Sequence, residues 1–212
     1  MGDIIKNSTL YYIHDPMCSW CWGFRPVWLN VIDQLKNIQI RYVLGGLAAD
    51  TDEPMPEDMQ KNIRETWQRI QKEIPGTDFN YDFWKQCKPR RSTYPACRAI
   101  LAASNQTTSA DIKMLLAIQQ AYYLNAQNPS DDTLLIQLAD ELGLDKKQFE
   151  SDLNSAETHK KLLAEFELRR KLKVYSFPSI VLEKNDIRTM IEIDYNHADF
   201  IIEQIHQLLD NN

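Results

Sequence analysis

Apolar positions along the chain change from alternating spacing to helical spacing and back again, and these changes outline the elements. Residues 8–14, STLYYIH, are β-branched and aromatic and read as a strand. Asp15-Pro16 marks a turn. From about Trp20 to Lys36 the apolar positions Val27, Trp28, Val31, Ile32 and Leu35 recur at helical spacing. IQIRYVL, 38–44, alternates as a half-buried strand does and stops at Gly45-Gly46, so the opening reads β-α-β. Residues 55–74 start a helical region with acidic residues at the positive end of the helix dipole. Further helices are expected around Ala96–Ala103, along 109–127, across 130–143 up to the C-capping Gly143, over 145–155 and near 157–172. Strand spacing returns in 178–184 and 187–193, joined by a tight turn at Asn185-Asp186. A last helix is expected from Asn196, as its cap, through Phe200, Ile201, Ile205 and Leu208.

The order is β-α-β, a block of helices, then β-β-α. It predicts an α/β core made of residues 1–50 and 160–212, with an all-helical domain, 51–159, inserted between its halves. Composition adds limits on partners. The 212 residues are 43% hydrophobic and 25% charged, ordinary for a chain that buries a core. The net charge of -6 gives no overall attraction for nucleic acid or an anionic membrane. No apolar run approaches the ~20 residues needed to span a bilayer. The first residues, MGDIIKNSTLYYIHD, lack the basic flank and apolar stretch of a signal peptide, so the expected location is the cytoplasm. That reducing setting argues against structural disulfides among Cys18, Cys21, Cys87 and Cys97.

The chemistry concentrates in HDPMCSWCWGF, 14–24. Cys18 follows a predicted strand and opens a predicted helix, whose free N–H groups and partial positive charge favour a thiolate. Cys21 lies one turn on, on the same side and within disulfide reach. Cys18 is then the expected nucleophile and Cys21 the thiol that resolves a mixed disulfide. Ser19 between them and the helix start argue for partial exposure. Structural zinc needs more ligands, and Cys87 and Cys97 do not form a second C-x-x-C pair, so no metal is expected.

With CSWCWGF at the first helix, this order resembles the DsbA family of thiol-disulfide oxidoreductases, in particular its cytoplasmic FrnE-like branch. The resemblance implies a thioredoxin fold with an inserted helical domain. It also implies a cis-proline loop before the third core strand, which YSFPSIVLE supplies, with Pro178 as the proline and Phe177 before it. In that family the loop lies beside the two cysteines and offers backbone hydrogen bonds to a bound peptide or thiol. STYPACRAILAA in the helical block matches the family as well. Unlike DsbA, the chain carries Ser19-Trp20 between its cysteines rather than Pro-His, so DsbA's potential is not transferable.

The expectation is a thiol-disulfide oxidoreductase with Cys18 and Cys21 catalytic and Trp20, Phe177 and Pro178 contacting substrate. Substrates would be disulfide-containing proteins or peptides, or a small thiol such as glutathione, with no bound cofactor. The alternatives are a glutathione-dependent transferase or isomerase on this fold, and a non-catalytic binding module. Other residues carry two readings each. Trp20 is expected at the surface, and Trp22 in the core, pointing into the sheet. Asp15 is either a proton carrier or a turn former. Cys87 and Cys97 are either a second redox pair or, the favoured reading, unrelated thiols. Lys88, Arg90 and Arg91, and Arg169, Arg170, Lys171 and Lys173, are candidates for a glutathione carboxylate or are simply solvated.

Overall fold

A computed structural model describes residues 8–210, so the absence of a leader, read mainly from residues 1–7, lies outside the described part of the chain. The order begins β1 (Ser8–His14), α1 (Ser19–Gln34), β2 (Gln39–Leu44). Helices α2 (Glu57–Glu73), α3 (Phe83–Gln86), α4 (Tyr94–Ser104), α5 (Ala110–Tyr123), α6 (Asp132–Glu141), α7 (Lys146–Leu153) and α8 (Ala156–Lys171) follow. The chain closes with β3 (Ser179–Lys184), β4 (Ile187–Ile191) and α9 (Ala198–Asp210).

The sheet has the order β2-β1-β3-β4, with β1 parallel to β2 and antiparallel to β3, and β4 antiparallel to β3. A parallel β1–β2 pair needs a crossover, and α1 is that crossover. β1 is flanked on both sides, and it is buried at every position but Thr9. The β3–β4 hairpin turns through Asn185 and Asp186, both at positive φ, the backbone that a two-residue hairpin asks of these residue types.

Alternation along the strands sends side chains to two layers. Leu10, Tyr12, Ile180 and Leu182 pack against α1 and α9. Tyr11, Ile13, Val43 and Val181 pack with Leu172 and Val174, which follow the end of α8. Each fully buried aliphatic side chain here contributes ~1.5–3 kcal/mol. The helices between β2 and β3 bury their own apolar centre around Trp67, Ile70, Phe83, Met114 and Phe149. Arg98 of α4 fixes them to the sheet half: it donates to both oxygens of Asp50 at 3.0 and 2.7 Å, and its Nε reaches Asn154.

Three features depart from the sequence reading. The single turn α3 is too short to show a helical period. α8 runs without a break across residue 160. Asn196 does not cap α9: its side chain donates to the Glu73 carbonyl, and the Asp194 carboxylate accepts from the N–H groups of Asn196 and His197 instead. The Asp194 carboxylate, the same length as the Asn196 side chain but only an acceptor, faces both N–H groups, while Asn196 is turned toward α2.

His14 ends β1 buried, stacked on Tyr12 at 5.2 Å, with its Nδ1 unpartnered. Burial lowers its pKa to about 3, so it stays neutral in the fold. An unfolded chain takes up that proton near pH 6.5, so stability is full above about 6.5 and falls as pH drops toward 3. In denaturant titrations the acid loss of stability is expected to shrink in His14→Phe by ~1 kcal/mol or more per pH unit between 6 and 4. An unchanged slope would show that His14 is not the group responsible.

Candidate functional site

The turn after β1 is built by Asp15. Its side chain accepts from the Met17 N–H at 2.8 Å, and its carbonyl accepts from the Cys18 N–H at 3.1 Å. Cys18 is thereby the residue that precedes α1, with extended backbone (φ -82, ψ 115) and no side-chain cap bond. Its Sγ points away from the helix, toward the carbonyl oxygen of Phe177 at 3.5 Å. The Phe177–Pro178 bond is cis. The two stretches that the sequence separates by 159 positions therefore meet at one sulfur.

Cys21 lies deeper, on the buried side of α1. Burial pushes its thiol well up from the ordinary value, and the adjoining Cys18 thiol adds to this. The expected partial exposure of the pair is not seen: Cys18 is 6% exposed and Cys21 1%. Ser19 itself is half-buried, and its hydroxyl accepts from Trp67 Nε1 of α2 at 2.8 Å. Both thiols are free.

Trp20 is half-buried rather than exposed, between Tyr195 at 5.0 Å and the Arg69 guanidinium at 4.9 Å. Trp22 corrects a second expectation. It does not point into the sheet but stacks on Tyr123 at 5.5 Å and donates to the Asp78 carbonyl. Phe24 faces the sheet, and two residues along a helix is a rotation of about 200°, which carries Trp22 to the other side. Phe177 is half-buried and Pro178 buried. Tyr195 was missed by sequence reasoning, as nothing local marks it. Burial raises its phenol first and the sulfurs of Cys21 and Cys18 next, which puts it in electrostatic reach of both.

Gly45 and Gly46, read from sequence only as a strand end, seat the Phe177 loop. A Cβ at Gly45 would lie 2.4 Å from the Phe177 ring, and one at Gly46, where φ is +65°, would lie 2.2 Å from the Phe166 ring. Arg169 of α8 donates to the Gly45 carbonyl at 2.7 Å and lies over the Phe177 ring at 5.8 Å. It is thus committed to holding the loop. Arg90 is similarly engaged, with Ser130 and Asp131. Cys87 donates to the Ala126 carbonyl and Cys97 to Asp15, so these two thiols serve different contacts. Asp15 does form the turn; its buried carboxylate also accepts from Leu47 N–H and the Thr93 hydroxyl. Among the described residues, no three His, Cys, Asp or Glu side chains are grouped to hold a metal.

This sheet order, with a C-x-x-C pair before the first helix and a cis-proline loop facing it, defines a thioredoxin-fold protein with inserted helices. A family model described as Thioredoxin matches residues 11–199, and the chain belongs to that family. A candidate protein disulfide isomerase from Nitrosomonas europaea superposes with a TM-score of 0.83 at 26% identity, covering 98% of this chain and 100% of that one. The cytosolic disulfide reductase DsbM from Pseudomonas aeruginosa shares the fold, with a TM-score of 0.76 at 24% identity over 95% and 98% of the two chains. Among curated proteins, the ClpXP adapter protein SpxH of Halalkalibacterium halodurans is 26% identical over 86% of this chain and 60% of its own length. The Bacillus subtilis SpxH is 26% identical over 82% and 58%. The chain thus spans about three-fifths of the length of these relatives. The DsbA resemblance read from CSWCWGF and the proline loop is borne out as fold and family.

The seating of Phe177 is open to test. Gly45→Ala is expected to cost ~1–3 kcal/mol by overpacking and to speed alkylation of Cys18, because the loop must lift from the thiol. Gly45→Ala combined with Phe177→Leu should recover most of both. Thermal melts and timed alkylation measure the two effects, and a single variant as stable and as slow to react as the parent would refute the packing argument.

Proposed function

We propose that the chain is a thiol-disulfide oxidoreductase working through Cys18 and Cys21. The observation that carries this reading is the approach of Cys18 Sγ, at the start of α1, to the carbonyl oxygen of Phe177 in the cis-proline loop, at 3.5 Å. Cys18, as thiolate, attacks one sulfur of a substrate disulfide. A bond forms between Cys18 and that sulfur, the substrate S–S bond breaks, and the departing sulfur takes up a proton. Cys21 then gives up its proton and attacks Cys18, releasing the second substrate thiol. The protein is left with a Cys18–Cys21 disulfide, having passed two electrons to the substrate. Two molecules of a small thiol such as glutathione reverse the protein's oxidation and leave as one disulfide. A solved DsbM structure carries glutathione, which supports this choice of thiol. Trp20, Phe177 and Pro178 contact the substrate on the two sides of the sulfurs. The substrates are disulfide-containing proteins or peptides, and the setting is the cytoplasm. Supporting that setting, the structural neighbour DsbM is named as cytosolic. The helices within 51–159 act as an inserted domain that walls the cleft.

A second reading has one observation behind it: the curated relatives are named as ClpXP adapters. On that reading the same cleft holds a partner protein and no turnover is required.

Glutathione-driven reduction of a disulfide peptide separates the readings. Cys18→Ser should fall to the uncatalysed rate. Cys21→Ser should accumulate a mixed disulfide on Cys18, seen as the mass of one substrate half. Parental turnover in Cys18→Ser would defeat the oxidoreductase reading. A Cys18→Ser/Cys21→Ser double variant that still delivers a partner to ClpXP would favour the adapter.

A further inference from the structure

Where the ends of β1 and β2 meet α4, α5 and α8 there is a cavity of about 150 Å3. A space of that volume accommodates a molecule of about the size of benzene. Neither cysteine lines it, and nor does the proline loop. Its floor is buried and combines His14 with the aliphatic side chains of Leu44, Ile100 and Leu115. Asp111 and Glu165 stand half-buried at its rim.

Most polar groups around this cavity are already matched within the protein. The Tyr42 oxygen accepts from Trp28 Nε1 at 2.9 Å, and the Ser104 hydroxyl donates to the Leu101 carbonyl at 2.7 Å. Glu165 accepts from Leu44 N–H at 3.1 Å and from Arg41 at 3.4 Å. Two groups are left over. Asp111 makes no hydrogen bond or ion pair with the described residues. It lies in the first turn of α5, where the helix dipole favours a carboxylate but supplies no counter-ion. His14 is 2% exposed, and neither ring nitrogen has a hydrogen bond among the described residues. Its Nδ1 is sealed away, so the ring reaches the cavity by its Nε2 side. A buried polar atom left unmatched costs about 1–3 kcal/mol, and such atoms are few in a native fold. An apolar side chain would fill this place without that cost.

We propose that the cavity is a binding site for a small amino alcohol of about six non-hydrogen atoms, its ammonium against Asp111 at the rim and its hydroxyl on Nε2 of His14 at the floor. The methylenes between the two ends lie along Leu44, Ile100 and Leu115. The charged end belongs at the rim, where water still reaches it and a free carboxylate meets it. The inner end has to be neutral, because His14 carries no charge in the fold and a buried ammonium there would lack a counter-charge. A hydroxyl both donates and accepts, so it matches either tautomer of the imidazole. Two carboxylates at the rim turn anions away. Binding here requires nothing of the cysteines.

Calorimetric titration of the full chain with 4-amino-1-butanol, butylamine, 1-butanol and 4-hydroxybutyrate tests the site. The amino alcohol should bind one to one, about fivefold or more tighter than butylamine, the worth of one good hydrogen bond. The two compounds without an ammonium should show no measurable binding. Asp111→Asn should weaken both amines by about tenfold or more. His14→Phe should leave butylamine binding nearly unchanged and abolish the preference for the hydroxyl. Should His14→Phe fail to fold, the imidazole nitrogen resonances of the parent decide: saturation with the amino alcohol should move the His14 Nε2 signal. No saturable binding of the amino alcohol overturns the site, as does binding that Asp111→Asn leaves unchanged. Equal binding of the two amines, a hydroxyl preference that survives in His14→Phe, or an unmoved Nε2 signal overturns it as well.

Discussion

A carboxylate with no access to water must find all its partners within the protein, and Asp15 is such a carboxylate. Leaving one of its oxygens unmatched would cost about 1–3 kcal/mol or more. Its donors come from three separate stretches: Met17 in the turn before α1, Leu47 in the loop after β2, and Thr93 just before α4. Meeting that demand fixes the three stretches against one another. The same turn presents the Asp15 carbonyl to the Cys18 N–H, so the start of α1, and with it the Cys18 sulfur, is set by this turn.

The opposite wall of the cleft follows from packing instead. β2 ends in two glycines, which lets the Phe177 and Phe166 rings lie where side chains would otherwise stand. Arg169 then joins α8 to this place by its bond to the Gly45 carbonyl. Gly45 N–H donates to the His14 carbonyl at 2.6 Å, so the same short loop is tied to the end of β1 as well. The loop 45–48 is therefore shared: one end seats Phe177 and the other is bound to Asp15 and Thr93.

The sheet, its order of elements and the cysteine pair were legible because each has a local signature. STLYYIH alternates into two buried layers, and CSWC begins where helical spacing begins. The cis-proline loop was legible only through a family pattern, since nothing local to SFPS distinguishes a cis from a trans bond. What stayed hidden involves contacts between distant segments. Ser19 looks like a small polar residue suited to solvent, and only the fold shows Trp67 donating to it. Trp22 is apolar enough for any core, and its choice of the helical side over the sheet depends on the angle between it and Phe24. Asp15 was noticed, with turn former and proton carrier left open. Its partners Leu47 and Thr93 are 32 and 78 positions away, and no spacing rule links them.

These contacts also bear on what the helical block does. Its residues do not merely cover the sheet: Trp67 binds the serine between the cysteines, Thr93 and Cys97 bind the carboxylate below them, and Tyr123 carries the ring of Trp22. The sheet half supplies the sulfurs and the proline loop, while the block supplies the floor and one wall. Both cysteines are nearly closed to solvent in this arrangement. Around them stand Trp20 with Tyr195 and Arg69, and Phe177 with Arg169. A sulfur so enclosed is reached only past these side chains, so the packing around Cys18 and the access to it are set by the same residues.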